Sequence, residues 1–155
     1  MQKLTPSQSQ QKIKYYCAYQ ERSHKEVKDK LYGFGLYKND VEEILSELIS
    51  ENYLNEERFA RLFAGSKFRI KQWGRKKILY ALKEKMVSPY NIKAAMKEID
   101  ENEYEKVLQD LCSKKWNDLK HEQHIVREVK TRNFLVQRGF EHELITKAIG
   151  KVRRK

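Results

Sequence analysis

Helix breakers are nearly missing from this chain: 2 proline and 6 glycine residues in 155. With Lys, Glu, Leu and Ile abundant, that scarcity favours helix throughout. The two cysteines, Cys17 and Cys112, stand far apart and outside any C-x-x-C spacing. Both fall on apolar helical stripes and read as buried, reduced thiols. No apolar run reaches the ~18 residues of a membrane-spanning helix. Residues 1–12 are polar and lack the apolar core of a secretion signal, so a cytoplasmic protein is expected. Period-two alternation is nowhere sustained, so no strand is expected. Phosphate-binding, dinucleotide, nucleophile-elbow and H-E-x-x-H motifs are all absent. His121 and His124 share a helical spacing with Cys112 upstream, but a fourth zinc ligand is missing, and they read as solvated residues of an interhelix linker. The carboxylates are scattered among lysines at i, i+4 spacing, as on a solvated face. No catalytic, metal or cofactor residue is expected.

What the chain has instead is positive charge on a helical period. Its 33 basic against 22 acidic residues give a net charge of +11, which points to an acidic partner or a polyanion, the alternative being a basic protein with no such role. A hydrophobic share of 39% beside a charged share of 35% suits an elongated body with much solvated surface. Apolar stripes run through Phe59, Leu62, Phe63 and Ile70; Val41, Ile44, Leu45 and Leu48; Ile92, Ala95, Met96 and Ile99; and Leu144, Ile145, Ala148, Ile149 and Val152. Ser23 with Glu26 is a capping box, Asn39 with Glu42 has a related spacing, and Asn55 and Ser88-Pro89 are further helix starts. Gly35 and Gly139 mark helix ends closed by a left-handed residue.

Val27, Leu31, Leu36, Val41, Ile44, Leu45 and Leu48 recur 51 residues later as Ile78, Leu82, Val87, Ile92, Ala95, Met96 and Ile99. A further 53 residues on they become Thr131, Leu135, Phe140, Ile145, Ala148, Ile149 and Val152. Six of the seven columns are apolar in all three copies, and Thr131 is the exception. The expected fold is all-α: three tandem three-helix repeats, residues 1–53 (with a polar tail 1–7), 54–101 and 102–155, in an elongated, curved array. The helices are expected at 8–21, 23–32 and 39–51, then 55–71, 74–85 and 88–99, then 102–119, 123–138 and 141–152.

The densest charge lies between Ser66 and Lys85. Lys67, Arg69, Lys71, Arg75, Lys76, Lys77, Lys83 and Lys85 face one acid, Glu84, and carry +7 of the net +11. Trp73 and Tyr80 are interleaved. The helix start after Gly74, with Arg75, Lys76 and Lys77, suits phosphates or an acidic protein surface. Two alternatives stand beside this: Trp73 as a packing anchor, and the lysines as a solvated face. A second cluster, Arg127, Lys130, Arg132 and Arg138, lies on the middle helix of the third repeat, where stacking of repeats would join it to the first.

The run Tyr53-Leu54-Asn55-Glu56-Glu57-Arg58-Phe59-Ala60, followed by Arg69, Trp73-Gly74, Lys76 and Ile78, resembles the central repeat of the RecX family, bacterial regulatory proteins that act on the RecA recombinase. The resemblance extends to Arg22-Ser23, Glu26 and Leu31, and to Leu135, Arg138-Gly139-Phe140 and Ile145, covering residues 16–152. Glu56 stands where the family usually has Asp. Met86 stands where a glycine is usual, at a turn where a left-handed conformation costs methionine sterically. The resemblance implies a non-catalytic modulator of DNA repair and recombination that lies in the groove of RecA nucleoprotein filaments and blocks their extension or promotes their disassembly. No cofactor and no membrane, a monomer, and single-stranded DNA as a second candidate contact are also expected. Lys67, Arg69, Lys71, Arg75, Lys76, Lys77, Arg127, Lys130, Arg132 and Arg138 are the expected contact residues. Tyr53, Leu54, Phe59, Trp73, Gly74, Ile78, Gly139 and Phe140 are expected to build the fold. The rival is a helical module that binds DNA directly.

Overall fold

The computed structural model describes residues 3–154; Met1, Gln2 and Lys155, at the ends of the expected first and third repeats, lie outside the described residues. Those residues form nine α-helices and no strand: α1 Pro6–Tyr19, α2 His24–Gly33, α3 Lys38–Ser50, α4 Glu56–Arg69, α5 Arg75–Glu84, α6 Pro89–Met96, α7 Glu101–Asp118, α8 His124–Gln137 and α9 His142–Arg153. No helix among them is long and apolar enough to cross a membrane.

Local chemistry sets the starts. Ser23 Oγ accepts the Glu26 amide at 3.1 Å and Glu26 Oε1 accepts the Ser23 amide at 3.1 Å, so two orphan donors are satisfied at once. Asn55 Oδ1 accepts the Arg58 amide at 2.9 Å, and Ser88 Oγ the Asn91 amide at 3.3 Å. Helix α1 begins earlier than expected because Thr5 and Gln8 form a second capping box with Pro6 just inside it. The Asn39 cap is not made: α3 starts at Lys38, Tyr37 occupies the cap without a side-chain bond, and Asn39 lies inside the first turn. Gly35 (φ 89°) and Gly139 (φ 97°) take the left-handed conformation as expected. Met86 does so too, at φ 60°, so the turn before α6 is kept with a methionine in it.

The repeat columns are the core. Val27, Leu31, Val41 and Leu48 in the first copy, Ile78, Leu82 and Ala95 in the second, and Thr131, Leu135 and Ile145 in the third have no exposed surface. Full burial of each of the Val, Leu and Ile side chains contributes roughly 1.5–3 kcal/mol. Thr131, the polar member, donates its hydroxyl to the Arg127 carbonyl at 2.8 Å and so enters the core satisfied. The α4 stripe differs from the expected one: Leu62 and Ile70 are exposed (55% and 75%), while Phe59, Ala60, Ala64 and Phe68 face inward. Cys17 and Cys112 are buried free thiols, each pushed up by burial to about 11.

The chain groups into two compact units: residues 1–63 with 82–95, and residues 64–81 with 96–155. The first is built on Ile13, Val27, Leu31, Val41, Leu48 and Leu54. In the second, Phe68, Tyr104 and Phe140 form a chain of rings at centroid distances of 5.7 and 5.2 Å.

Candidate functional site

The basic segment belongs mostly to the second unit, and its geometry follows from one tight approach. After α4 the chain turns through Gln72, left-handed at φ 57°, and Trp73 to Gly74. A Cβ on Gly74 would strike the backbone of Gly139 and Phe140, and one on Gly139 would strike Lys77, so these two glycines let the turns after α4 and α8 meet. Across that approach the Gly74 amide donates to the Arg138 carbonyl at 2.6 Å and the Lys76 amide to the Gly139 carbonyl at 2.9 Å. The Arg75 amide donates to Tyr104 Oη at 2.9 Å. Three amides at the start of α5 are thereby consumed within the protein. The phosphate-binding helix start expected here is therefore not available, because its donors already have acceptors.

Arg75 is drawn into the same junction. Its guanidinium stacks on the Tyr104 ring at 3.9 Å, binds Glu141 at 2.8 Å and pairs with Glu101. Burial pulls its pKa down, but the hydrogen bond and charge of Glu141 and the charge of Glu101 outweigh that and raise it. Tyr104, fully buried, donates its hydroxyl to Glu141; burial first and that acceptor second hold it protonated far above neutral pH. Two carboxylates neutralise Arg75, which makes it a clamp rather than an exposed contact residue.

Outside the junction lies a shallow cleft of about 370 Å³ lined by Lys71, Trp73, Lys77, Phe134, Gln137 and Arg138, with no carboxylate among them. Lys77 Nζ lies 4.5 Å and Lys67 Nζ 4.9 Å from the Trp73 ring centroid. Arg138 donates to the Lys71 carbonyl at 2.9 Å and lies 5.0 Å from the Phe134 ring, which fixes the cleft's far wall. Lys76 is exposed beside Lys77 on α5, and exposed Arg69 reaches the Glu98 carbonyl at 3.5 Å.

The members of the second cluster are spread along α8, each with its own partner. Arg127 sits at the other end of α8 from Arg138, about 16 Å along the axis at 1.5 Å per residue. It packs over Trp116 at 4.1 Å and donates to the Trp116 carbonyl at 2.8 Å. Lys130 pairs with Glu122 at 2.9 Å, a bond that holds the Glu122 carboxyl below its usual range. Arg132 donates to Thr146 Oγ1 at 3.2 Å. In the first unit, Lys85 pairs with Glu26 at 3.5 Å and Lys83 is exposed. His121 and His124 are exposed, and no group of three potential ligands among the described residues fits a metal ion.

Of the residues expected to build the fold, Leu54, Phe59, Ile78 and Phe140 are buried and Tyr53 is 37% exposed. Phe134 and Gln137, which finish the cleft, and Glu101, Tyr104 and Glu141, which hold Arg75, were not expected. Phe134 and Gln137 lie one turn and one residue before Arg138, a spacing that places them near the same helix end. Glu141 lies 66 residues from Arg75 and carries no local signal.

Residues 55–96 match the model of the RecX second three-helix domain, and residues 102–149 that of the third. Regulatory protein RecX of Oceanobacillus iheyensis is 28% identical over 135 residues, which cover 87% of this chain and 50% of that protein. This chain thus spans about half the length of that relative. Regulatory protein RecX of Prosthecochloris aestuarii is 32% identical over 136 residues, 86% of each protein. The crystal structure of RecX from Lactobacillus salivarius superposes with a TM-score of 0.87 over 97% of both chains at 22% identity, a likeness of fold. The matched three-helix domains, with the Prosthecochloris relative aligned over most of both proteins, place this chain in the RecX family.

Proposed function

We propose that this chain is a non-catalytic cytoplasmic regulator that binds RecA nucleoprotein filaments as a monomer and limits recombinase activity, by blocking filament extension or promoting disassembly. Membership of a family of regulatory proteins supports the class of action. The observation that carries the contact is the cleft around Trp73, lined by Lys71, Lys77 and Arg138 with no carboxylate among its lining residues. Lys76 and Arg69 extend this surface; Arg75 stays out of it. Two ammonium groups already lie against the Trp73 ring, which favours Trp73 as an anchor for charge over Trp73 as a stacking platform for bases. The contact is then electrostatic, toward an acidic recombinase surface or exposed phosphates. The repeats 1–53, 54–101 and 102–155 are the units laid along the filament.

RecA assembled on single-stranded DNA, with ATP hydrolysis followed at increasing amounts of this protein, tests the reading. Inhibition is expected at stoichiometric amounts. The double variant Lys71→Glu/Lys77→Glu is expected to need about tenfold more protein, the equivalent of about 1.4 kcal/mol. Unchanged hydrolysis with the native protein, or equal potency of the variant, rejects it.

A further inference from the structure

Helix α1 has two dissimilar faces. Ser9, Ile13 and Cys17 turn inward and are buried. Lys12, Tyr15, Tyr16 and Tyr19 follow i, i+3, i+4 and i+7 on the other. Tyr15 and Tyr19, one turn apart, are each 74% exposed. Tyr16 between them is partly buried against the first unit's core, as is Phe34 at the end of α2. Arg22 stacks over Tyr16 at 3.7 Å and donates Nε to the Tyr16 carbonyl at 3.1 Å; Lys30 Nζ lies 5.3 Å from the same ring. These side chains enclose an open hollow of about 810 Å³ with three cations and no carboxylate in its lining. The acids on α2 are engaged elsewhere: Glu26 with the Ser23 amide and Lys85, Asp29 with Lys25 at 2.7 Å.

A solvated helix face is built more cheaply from Lys and Glu than from two bare tyrosines. The combination of flat apolar faces, held rings and unopposed positive charge suits a partner that brings π-faces and negative charge together. A second copy of this chain would set Lys12, Arg22 and Lys30 against themselves across a two-fold axis. An acidic peptide would use the cations and leave the ring faces idle. We infer that the hollow on α1 and α2 is a single-stranded nucleic-acid subsite, where bases stack on Tyr15 and Tyr19 beside the fixed Tyr16 and the phosphates meet Lys12, Arg22 and Lys30. The subsite goes beyond the recombinase reading and stands without it, because its partner is the strand itself.

The test uses the full chain without recombinase, so its outcome is separate from that of the filament assay. Anisotropy of a labelled oligothymidylate of about 20 nucleotides is followed for the native protein, Tyr15→Ala/Tyr19→Ala and Tyr15→Phe/Tyr19→Phe, beside an abasic strand of the same length. Both tyrosines are exposed, and circular dichroism checks that the variants fold. The alanine pair is expected to weaken thymidylate binding at least about tenfold, since two stacking faces are lost. The phenylalanine pair is expected to restore it, and the abasic strand to show no difference between variants. An iodouracil-substituted strand is expected to crosslink to Tyr15, Tyr16 or Tyr19. Equal affinity of the alanine and native proteins, equal binding of the abasic strand, crosslinks confined to the Trp73 cleft, or an alanine effect seen only on self-association or on polyglutamate binding each overturns the inference.

Discussion

The two basic patches of this molecule have nearly the same ingredients and different chemistry. Around Trp73 in the second unit, cations lie against the aromatic ring, and a backbone carbonyl holds Arg138 in place. On α1 in the first unit, Tyr15 and Tyr19 stand bare, and only Tyr16 is covered by a cation. An aromatic side chain under ammonium groups organises charge, whereas one open to solvent offers its face. A count of Lys, Arg and aromatic residues does not separate these cases; the position of each cation relative to each ring does.

The sharpest way to break the comparison is to damage the scaffold of one patch alone. Gly74→Ala forces a Cβ into the Gly139 backbone, and a loss of about 3 kcal/mol is expected, roughly 6–12 °C in Tm. Trp73 and Trp116 both lie in the second unit, so the Trp emission transition should fall by that amount while thymidylate binding on α1 below the transition holds.

Next in size is Glu56→Ala, which acts on the first unit. Glu56 Oε1 accepts the Ser88 amide and Asn91 Nδ2, both at 2.9 Å, and removing it leaves two donors unmet, at a cost of about 2 kcal/mol. The far-UV dichroism transition is expected to fall while Trp emission lags behind it. Mild acid should reproduce the asymmetry. Burial pushes the Glu56 carboxyl up, but the Ser88, Asn91 and His24 contacts outweigh it and hold it below its ordinary 4.5. The unfolded chain therefore takes up this proton first, and stability present above pH 4.5 is lost as pH falls through the folded value. Burial holds His24 below its ordinary 6.5, partly offset by Glu56, so its contribution begins to fall already below pH 6.5. Melts of Glu56→Ala and of native protein between pH 7 and 4 check both signs; a transition of the native protein that stays put across that range contradicts them.

The smallest effect is expected at Met86. It is 73% exposed and left-handed, so Met86→Gly relieves strain without losing burial. A gain of up to about 1 kcal/mol, roughly 2–4 °C, is expected with both patches unchanged.

Much of the fold was legible because it is written in local terms. The Ser23, Asn55 and Ser88 caps and the glycines at 35 and 139 each depend on residues a few positions apart, and the seven repeat columns on a helical pattern that recurs at 51 and 53 residues. Local signals also misled. Asn39 looked like a cap because its side chain suits one, but the helix had already begun at Lys38. Leu62 and Ile70 fit a helical period, yet they are exposed, and Phe59, Ala60, Ala64 and Phe68 are the buried members of the segment. The candidate site was half legible. Its charge density was plain, but the fate of Arg75 depends on Glu101 and Glu141, 26 and 66 residues away. The loss of the α5 amides to Arg138 and Gly139 is likewise a long-range fact. Tyr15 and Tyr19 drew no expectation from the sequence; their 74% exposure and the hollow before them show that they are bare.

The capping of α5 by carbonyls near the chain's end has a temporal side. Arg138 follows Gly74 by 64 residues. At translation speeds of ~5–20 residues per second, the first turn of α5 waits about 3–13 seconds for its acceptors after it is made. Through that interval the Trp73 loop has its lysines but no fixed wall, and the cleft takes shape only once the turn at Gly139 has been synthesised.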